Sequence, residues 1–232
     1  MTPPITWSLG LSGIRDVASK AIRVVLLGQP GVGKTALAVR FATRRFIGEY
    51  DCTTERIYKF TDAATGSWEI ADPSGYPPAP TEPKLRWADA ILIVYSISDR
   101  VSFDETSRLR FLVTHARRGR KVPPVVLLIG NKSDLAASPG ERMVSAWEGR
   151  RRADDIEAHG FYEISTRESV DQVTVMFSDV SRLVAEAAAG GSVQGNPFRV
   201  RASTDGSINA LRRPPVPPPG RRLSISARGA PP

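Results

Sequence analysis

Eight residues, Gly28-Gln29-Pro30-Gly31-Val32-Gly33-Lys34-Thr35, constrain this chain more than any others. They follow Ile22–Leu27, a mostly β-branched and leucine run that reads as a buried strand. They precede a stretch, Thr35 to Arg45, that reads as a helix. The spacing is G-x-x-x-x-G-K-[ST], the phosphate-binding loop that joins a strand to a helix. In such a turn Gly28, Gly31, Val32, Gly33, Lys34, Thr35 and Ala36 bring backbone N–H groups toward phosphate oxygens, and the helix dipole favours the negative charge there. Lys34 reaches the β- and γ-phosphates, and the Thr35 hydroxyl holds Mg²⁺. Alone, the motif specifies only a nucleoside triphosphate. A chance glycine-rich turn is its bland alternative.

The remainder of residues 21–188 alternates strand and helix signals. Ala90–Ser96, Val125–Gly130 and Phe161–Ser165 join Ile22–Leu27 as central strands, while Glu55–Phe60 and Ser67–Asp72 alternate as a hairpin near a sheet edge would. Ser102-Phe-Asp-Glu105 reads as a capping-box helix start, followed by Leu109, Leu112, Val113 and Ala116 at helical spacing. Val170, Val173, Met176, Phe177, Val180, Leu183 and Val184 form an apolar stripe that reads as core packing. This pattern predicts an α/β fold: a P-loop NTPase with a mostly parallel six-stranded sheet and helices on both faces. Ligands of such folds bind beyond the carboxyl ends of the strands. Residues 1–20 are a weakly patterned extension. Residues 189–232 are rich in Gly, Pro, Arg and Ser, and are expected to be a disordered tail.

The strand at Val125 runs into Gly130-Asn131-Lys132-Ser133-Asp134. A fixed carboxylate at Asp134 accepts two adjacent donors, which guanine offers at N1 and N2 and adenine does not. Asn131 ties this loop to the phosphate loop, and the Lys132 stem covers one face of the base. An ordinary Asn/Asp turn is the alternative reading, but two such motifs in order, both following strands, point to a guanine nucleotide.

With both motifs in place, residues 21–188 resemble the Ras superfamily of small GTPases. Phe46-Ile-Gly-Glu-Tyr-Asp-Cys-Thr53-Thr-Glu55 looks like the first switch. The resemblance implies that Phe46 packs on the guanine, that Thr53 contacts Mg²⁺ and the γ-phosphate, and that residues 46–55 meet effector proteins. Asp72-Pro-Ser-Gly75 looks like the second switch, with Asp72 holding the Mg²⁺ shell through water and the Gly75 amide on the γ-phosphate. Ser165-Thr166-Arg167 resembles the loop whose backbone reads the guanine oxygen, although the family has lysine where Arg167 stands. Arg40-Phe41, Arg45-Phe-Ile-Gly-Glu-Tyr50, Trp87-Ala-Asp89 and Val94-Tyr-Ser-Ile-Ser-Asp-Arg-Val-Ser-Phe103 are similar to the estrogen-regulated growth inhibitor-like branch and the neighbouring Ras-like 11 and 12 groups. Trp87 itself reads as a core packer.

Two departures bear on catalysis. The family's water-orienting glutamine is replaced by Tyr76, and a phenol cannot present an amide's donor and acceptor together. Pro73 and Ser74 also differ from the family's usual threonine and alanine, and prolines 77, 78, 80 and 83 oppose a regular helix start. A tolerated loop insertion is the milder reading. Pro30 stands where the family has glycine. It removes one N–H and obstructs a partner's arginine finger, which is worth about 10³–10⁵ in rate. The expectation is a GTP/GDP- and Mg²⁺-binding protein that hydrolyses GTP slowly, with Lys34, Thr53, Gly75 and Tyr76 at the reacting phosphate and Thr35, Thr53 and Asp72 at the metal. The competing reading is a non-catalytic GTP-binding scaffold whose tail recruits partners. An adenine-nucleotide kinase is opposed by Asn131 and Asp134.

Charge and composition narrow the partners. The net charge is +8, but residues 190–232 hold seven arginines and one acid, leaving +2 to the first 189 residues. A basic pI that resides in the tail argues against a nucleic-acid reader. One cysteine, Cys52, permits no intramolecular disulfide and suits a reducing compartment. It reads as a plain small side chain, and His115 and His159 as surface residues. No apolar run of about 18 residues, signal peptide, myristoyl glycine or C-terminal prenylation cysteine is found, so a cytoplasmic monomer is expected. In the tail, Arg212, Pro215 and Pro218 fit an R-x-x-P-x-x-P ligand for SH3-type domains within residues 212–218; a Pro-rich spacer is the alternative. The tail arginines suit weak contact with anionic lipid. Arg221-Arg-Leu-Ser224 resembles a basophilic kinase site.

Overall fold

A computed structural model describes residues 20–49, 55–73, 82–119 and 122–190. Six strands form one sheet: β1 (Ile22–Leu27), β2 (Arg56–Asp62), β3 (Gly66–Asp72), β4 (Ala90–Ser96), β5 (Val125–Asn131) and β6 (Gly160–Glu163), in the order β2-β3-β1-β4-β5-β6. Only β2 runs antiparallel, paired with β3 from Arg56↔Asp72 to Asp62↔Gly66. The other pairs are parallel, with Leu27 opposite Ile93 and Ser96 opposite Asn131. Every residue of β4 and β5 is buried, as expected of strands covered on both faces.

Successive residues of β1 serve opposite faces. Val24 and Leu26 join one core with α1 (Lys34–Thr43) and α5 (Val170–Ala188). Val25 and Leu27 join a second core beneath α2 (Glu82–Trp87), α3 (Arg100–Ala116) and α4 (Ala146–Asp155). In the first core Phe41 of α1 stacks on Phe177 of α5 at 3.8 Å between centroids, and Trp68 meets both edge-on. Aromatic pairs of this kind contribute about 0.5–1.5 kcal/mol each beyond their buried area. They hold α1 firmly against the sheet. The stripe from Val173 to Leu183 is core, as its spacing predicts. Trp87 packs half-buried against the second core, with the Arg23 guanidinium 5.5 Å from its ring centroid.

Several local expectations need correction. α1 ends at Thr43, because Arg44 takes a left-handed φ of 62° and closes the helix back to the Arg40 carbonyl. β6 stops at Glu163, short of Ser165, and β5 runs one residue farther, to Asn131. Ser102 does not cap α3. Asp99 does, accepting from the N–H groups of Val101 and Ser102, while the Ser102 hydroxyl turns back to the Asp99 carbonyl inside the helix. The capping box belongs instead to α4: Ser145 and Glu148 bond reciprocally. Pro83 lies in the first turn of α2, where its missing N–H costs no intrahelical bond. His159 is not a surface residue. It is half-buried where β6 approaches β5, and its Nδ1 accepts the Val126 N–H at 3.0 Å. The expected disordered tail and its SH3, phosphorylation and lipid-contact segments lie outside the described residues, as do Cys52 and most of residues 1–20. Among the described residues, no helix is long and apolar enough to cross a membrane.

Candidate nucleotide site

Strand order reverses around β1, which lies between β3 and β4. A crevice beyond strand carboxyl ends forms at such a point. Gly28, Asp72, Asn131 and Ser165 follow or end β1, β3, β5 and β6, so the topology gathers them along one edge of the sheet.

The phosphate loop owes its path to glycine. A Cβ on Gly28 (φ 145°) would sit 2.1 Å from the Val94 carbonyl oxygen, and one on Gly33 (φ 99°) 2.3 Å from Asn131 Nδ2. The loop thus lies against β4 on one side and Asn131 on the other. Lys34 Nζ donates to the carbonyls of Gly28 and Gln29, both at 2.9 Å, which draws its ammonium across the loop. Gly33 precedes α1 without any side-chain cap, whereas Asp99, Ser145 and Ser169 cap α3, α4 and α5. The N-terminal amides of α1 are therefore left for a ligand to satisfy.

Asp72 and Thr35 form the next layer. Thr35 Oγ1 donates to Asp72 Oδ2 at 2.5 Å. Asp72 is 2% exposed, and its Oδ1 has no hydrogen-bond partner among the described residues. Burial pushes the Asp72 carboxyl above its ordinary range, more than the Thr35 hydroxyl and the nearby Lys34 and Arg56 charges pull it down. A buried carboxylate oxygen with no donor beside a threonine hydroxyl fits a divalent cation that supplies the missing charge. Among the described residues no group of three His, Cys, Asp or Glu is placed to hold a metal. Mg²⁺ needs none, since it keeps waters and takes phosphate oxygens with one or two protein ligands.

The loops that follow β5 and β6 are joined through Asn131, which is 2% exposed. Its Nδ2 donates to the Val32 carbonyl at 2.8 Å, and its Oδ1 accepts from both the N–H (3.1 Å) and the hydroxyl (2.8 Å) of Thr166. Lys132 takes a left-handed φ of 65°, and the Ser133 N–H then bonds the Ile164 carbonyl. Asp134 Oδ1 accepts from Ser165 Oγ at 2.7 Å, which orients the carboxylate.

The structure thus brings Gly28, Gly31, Val32, Gly33, Lys34, Thr35, Ala36, Asp72, Asn131, Lys132, Asp134, Ser165 and Thr166 to one edge. Arg167 is exposed, and its carbonyl accepts from Arg40 at 3.3 Å. Phe46 is 38% exposed beyond α1. Thr53, Gly75 and Tyr76 lie outside the described residues. Sequence reading names Thr166 for its backbone but not for its hydroxyl, which joins the Asn131 clasp, and misses Gln172, whose Oε1 accepts the Ser165 N–H at 2.9 Å from the first turn of α5. Only the helical spacing that begins near Val170 hints at Gln172.

Residues 23–186 match the Ras family. Over 199 residues, 84% of this chain and 95% of the other, the chain is 36% identical to the human Ras-related and estrogen-regulated growth inhibitor. It is 34% identical over 171 residues to Ras-like protein family member 11B of Danio rerio, covering 69% of this chain and 68% of the other. To human Ras-like protein family member 11A it is 32% identical over 182 residues, 72% of each chain.

Proposed function

Since this chain belongs to the Ras family and is a Ras-type GTP-binding protein, we propose that it is a switch that binds GTP and GDP with Mg²⁺ and cleaves GTP slowly. The observation that carries the reading is Asn131, which ties the Val32 carbonyl of the phosphate loop to the Thr166 loop, with Asp134 set beside it by Ser165. A guanine on Asp134 and phosphates on the α1 amides then fall on one rigid edge. Mg²⁺ would be held by Thr35 and Thr53, with Asp72 through water, and would supply charge neutralisation of the β- and γ-phosphates. Lys34 stands at the loop to stabilise charge on the phosphates. The Gly75 amide and Thr53 sense the third phosphate.

Slow cleavage rests on two residues. Tyr76 offers a hydroxyl where the family pattern has an amide that orients the attacking water. Pro30 occupies the loop next to Gly31, where an incoming arginine finger would need room. Binding is spared, because Gly31 to Ala36 keep their N–H groups. Single-turnover GTP hydrolysis by the purified full chain, beside Tyr76→Gln, tests this. We expect the parent to be slower by at least tenfold. Equal rates for the two would remove Tyr76 from the explanation. Residues 46–55 would carry effectors, in a cytoplasmic setting. Arg212, Pro215 and Pro218 support a tail that engages SH3-type domains, and a peptide spanning 212–218 titrated with an SH3 panel checks that.

A further inference from the structure

The end of the sheet opposite the nucleotide edge carries a concavity of about 470 Å³. Lys20, Arg23, Arg86 and Arg117 line it with a single acid, Asp89. Its wall is aliphatic, from Val122, Pro123, Val184 and Ala187. The fold fixes these charges. Asp89 receives Arg23 Nε and Nη2 at 3.1 Å each and Lys20 at 3.5 Å, so one carboxylate faces two cations. Arg117 Nη1 donates to the Arg86 carbonyl at 2.8 Å and ties the end of α3 to the end of α2. Arg86 also meets Glu82, and the Glu69 charge acts on Arg23, so four cations stand against three acids.

Three helices, α2, α3 and α5, end at this pole, and each carboxyl end carries about half a negative charge that the arginines partly offset. That role does not account for two features. Lys20 belongs to no helix, and its side chain is 72% exposed. Val122 is 53% exposed beside the cations. The chain also leaves α5 here, and residues 191–232 carry seven arginines and one acid. Like charge argues against that segment as the occupant of the pocket; pole and tail share one counter-charge.

We propose that this pole is a docking surface for an anionic phospholipid bilayer, with a headgroup phosphate between Lys20 and Arg86 and Val122 at the acyl boundary. A bilayer fits better than single-stranded nucleic acid. A single-strand site offers aromatic faces for stacking, whereas the pocket wall is aliphatic and the neighbouring ring, Trp87, already lies under Arg23; duplex DNA is separated by the test below. Docking this way leaves the nucleotide edge pointing away from the membrane. The proposal stands independently of the hydrolysis rate.

Sedimentation of the full chain with vesicles tests it. The parent should bind phosphatidylcholine vesicles containing about one third phosphatidylserine, and not pure phosphatidylcholine. A cation near such a surface is worth about fivefold in partitioning, so Lys20→Gln with Arg86→Gln should lower binding about 25-fold. A matched pair away from the pocket, Arg108→Gln with Arg151→Gln, should lower it less than about twofold. Val122→Ser should cost about threefold on vesicles and leave binding to soluble polyglutamate unchanged. Equal losses from the two charge pairs would overturn the proposal, since net charge or the tail would then do the binding. A parent that binds duplex DNA or polyglutamate but not the anionic vesicles would overturn it as well.

Discussion

Replacing Asp72 with asparagine should stabilise the nucleotide-free protein and destabilise the loaded one. Without a cation, the parent keeps a buried carboxylate whose Oδ2 accepts from Thr35 and whose Oδ1 has no partner among the described residues. An unsatisfied charged group of this kind costs more than the roughly 1–3 kcal/mol of a neutral one. Asp72→Asn keeps the acceptor for Thr35 and removes the charge, but leaves an amide N–H₂ in place of Oδ1. The net gain is then about 1–2 kcal/mol, or about 3–6 °C in Tm for a domain of this size. With Mg²⁺ and GDP the sign turns. The parent gains about 4 kcal/mol at a thousandfold excess over Kd, and the variant loses much of this because its metal-side group is neutral. Thermal melts by circular dichroism, in EDTA and in Mg²⁺ with GDP, read both signs. A variant that melts lower in both conditions would make Asp72 a structural acceptor only. One that melts higher in both would remove the cation from the argument.

Other perturbations probe the neighbouring elements. Asn131→Ala leaves the Val32 carbonyl and both Thr166 donors without their partner; it should cost about 3 kcal/mol in urea unfolding and speed release of a fluorescent GDP, and an unchanged release rate would refute the clasp. Gly28→Ala forces a Cβ to within 2.1 Å of the Val94 carbonyl at φ 145°. It should destabilise by at least about 3 kcal/mol, and a loss under about 1 kcal/mol would mean that β1 can shift away from β4. Burial holds the His159 imidazole below its ordinary 6.5. Its folded value lies below its unfolded one, so its contribution is full above pH 6.5 and is lost as pH falls through the folded value. Ring-proton NMR should show His159 titrating below 6.5, and a midpoint at or above 6.5 would contradict the burial argument.

The order of strands and helices was legible because apolar period and glycine position report burial directly. Val125–Ile129 reads as a strand covered on both faces, and Gly28 to Thr35 reads as a turn into a helix. Local chemistry was less legible. Ser102-x-x-Glu105 satisfies the capping-box spacing, yet Asp99, three residues earlier, competes for the same helix start and wins through two N–H bonds. His159 looks like a surface residue by type, and only the β5–β6 pairing reveals that its ring fills a main-chain vacancy beside Val126. Within the site, Lys34, Thr35, Asn131 and Asp134 announce themselves by spacing. The Thr166 hydroxyl and Gln172 do not, because their partners lie 35 and 7 residues away and no short pattern links them.

The Asn131 clasp makes the protein a caliper. One buried amide sets the separation between the Val32 loop, proposed to meet the phosphates, and the Thr166 loop, proposed to meet the base, so the gap is set before any nucleotide arrives. A ligand is measured against a fixed span, and little of its binding energy is diverted into bringing the two jaws to the right distance. The same rigidity means that a disturbance at one jaw is felt at the other: slackening on the purine side loosens the grip on the phosphates, although no atom there has been touched.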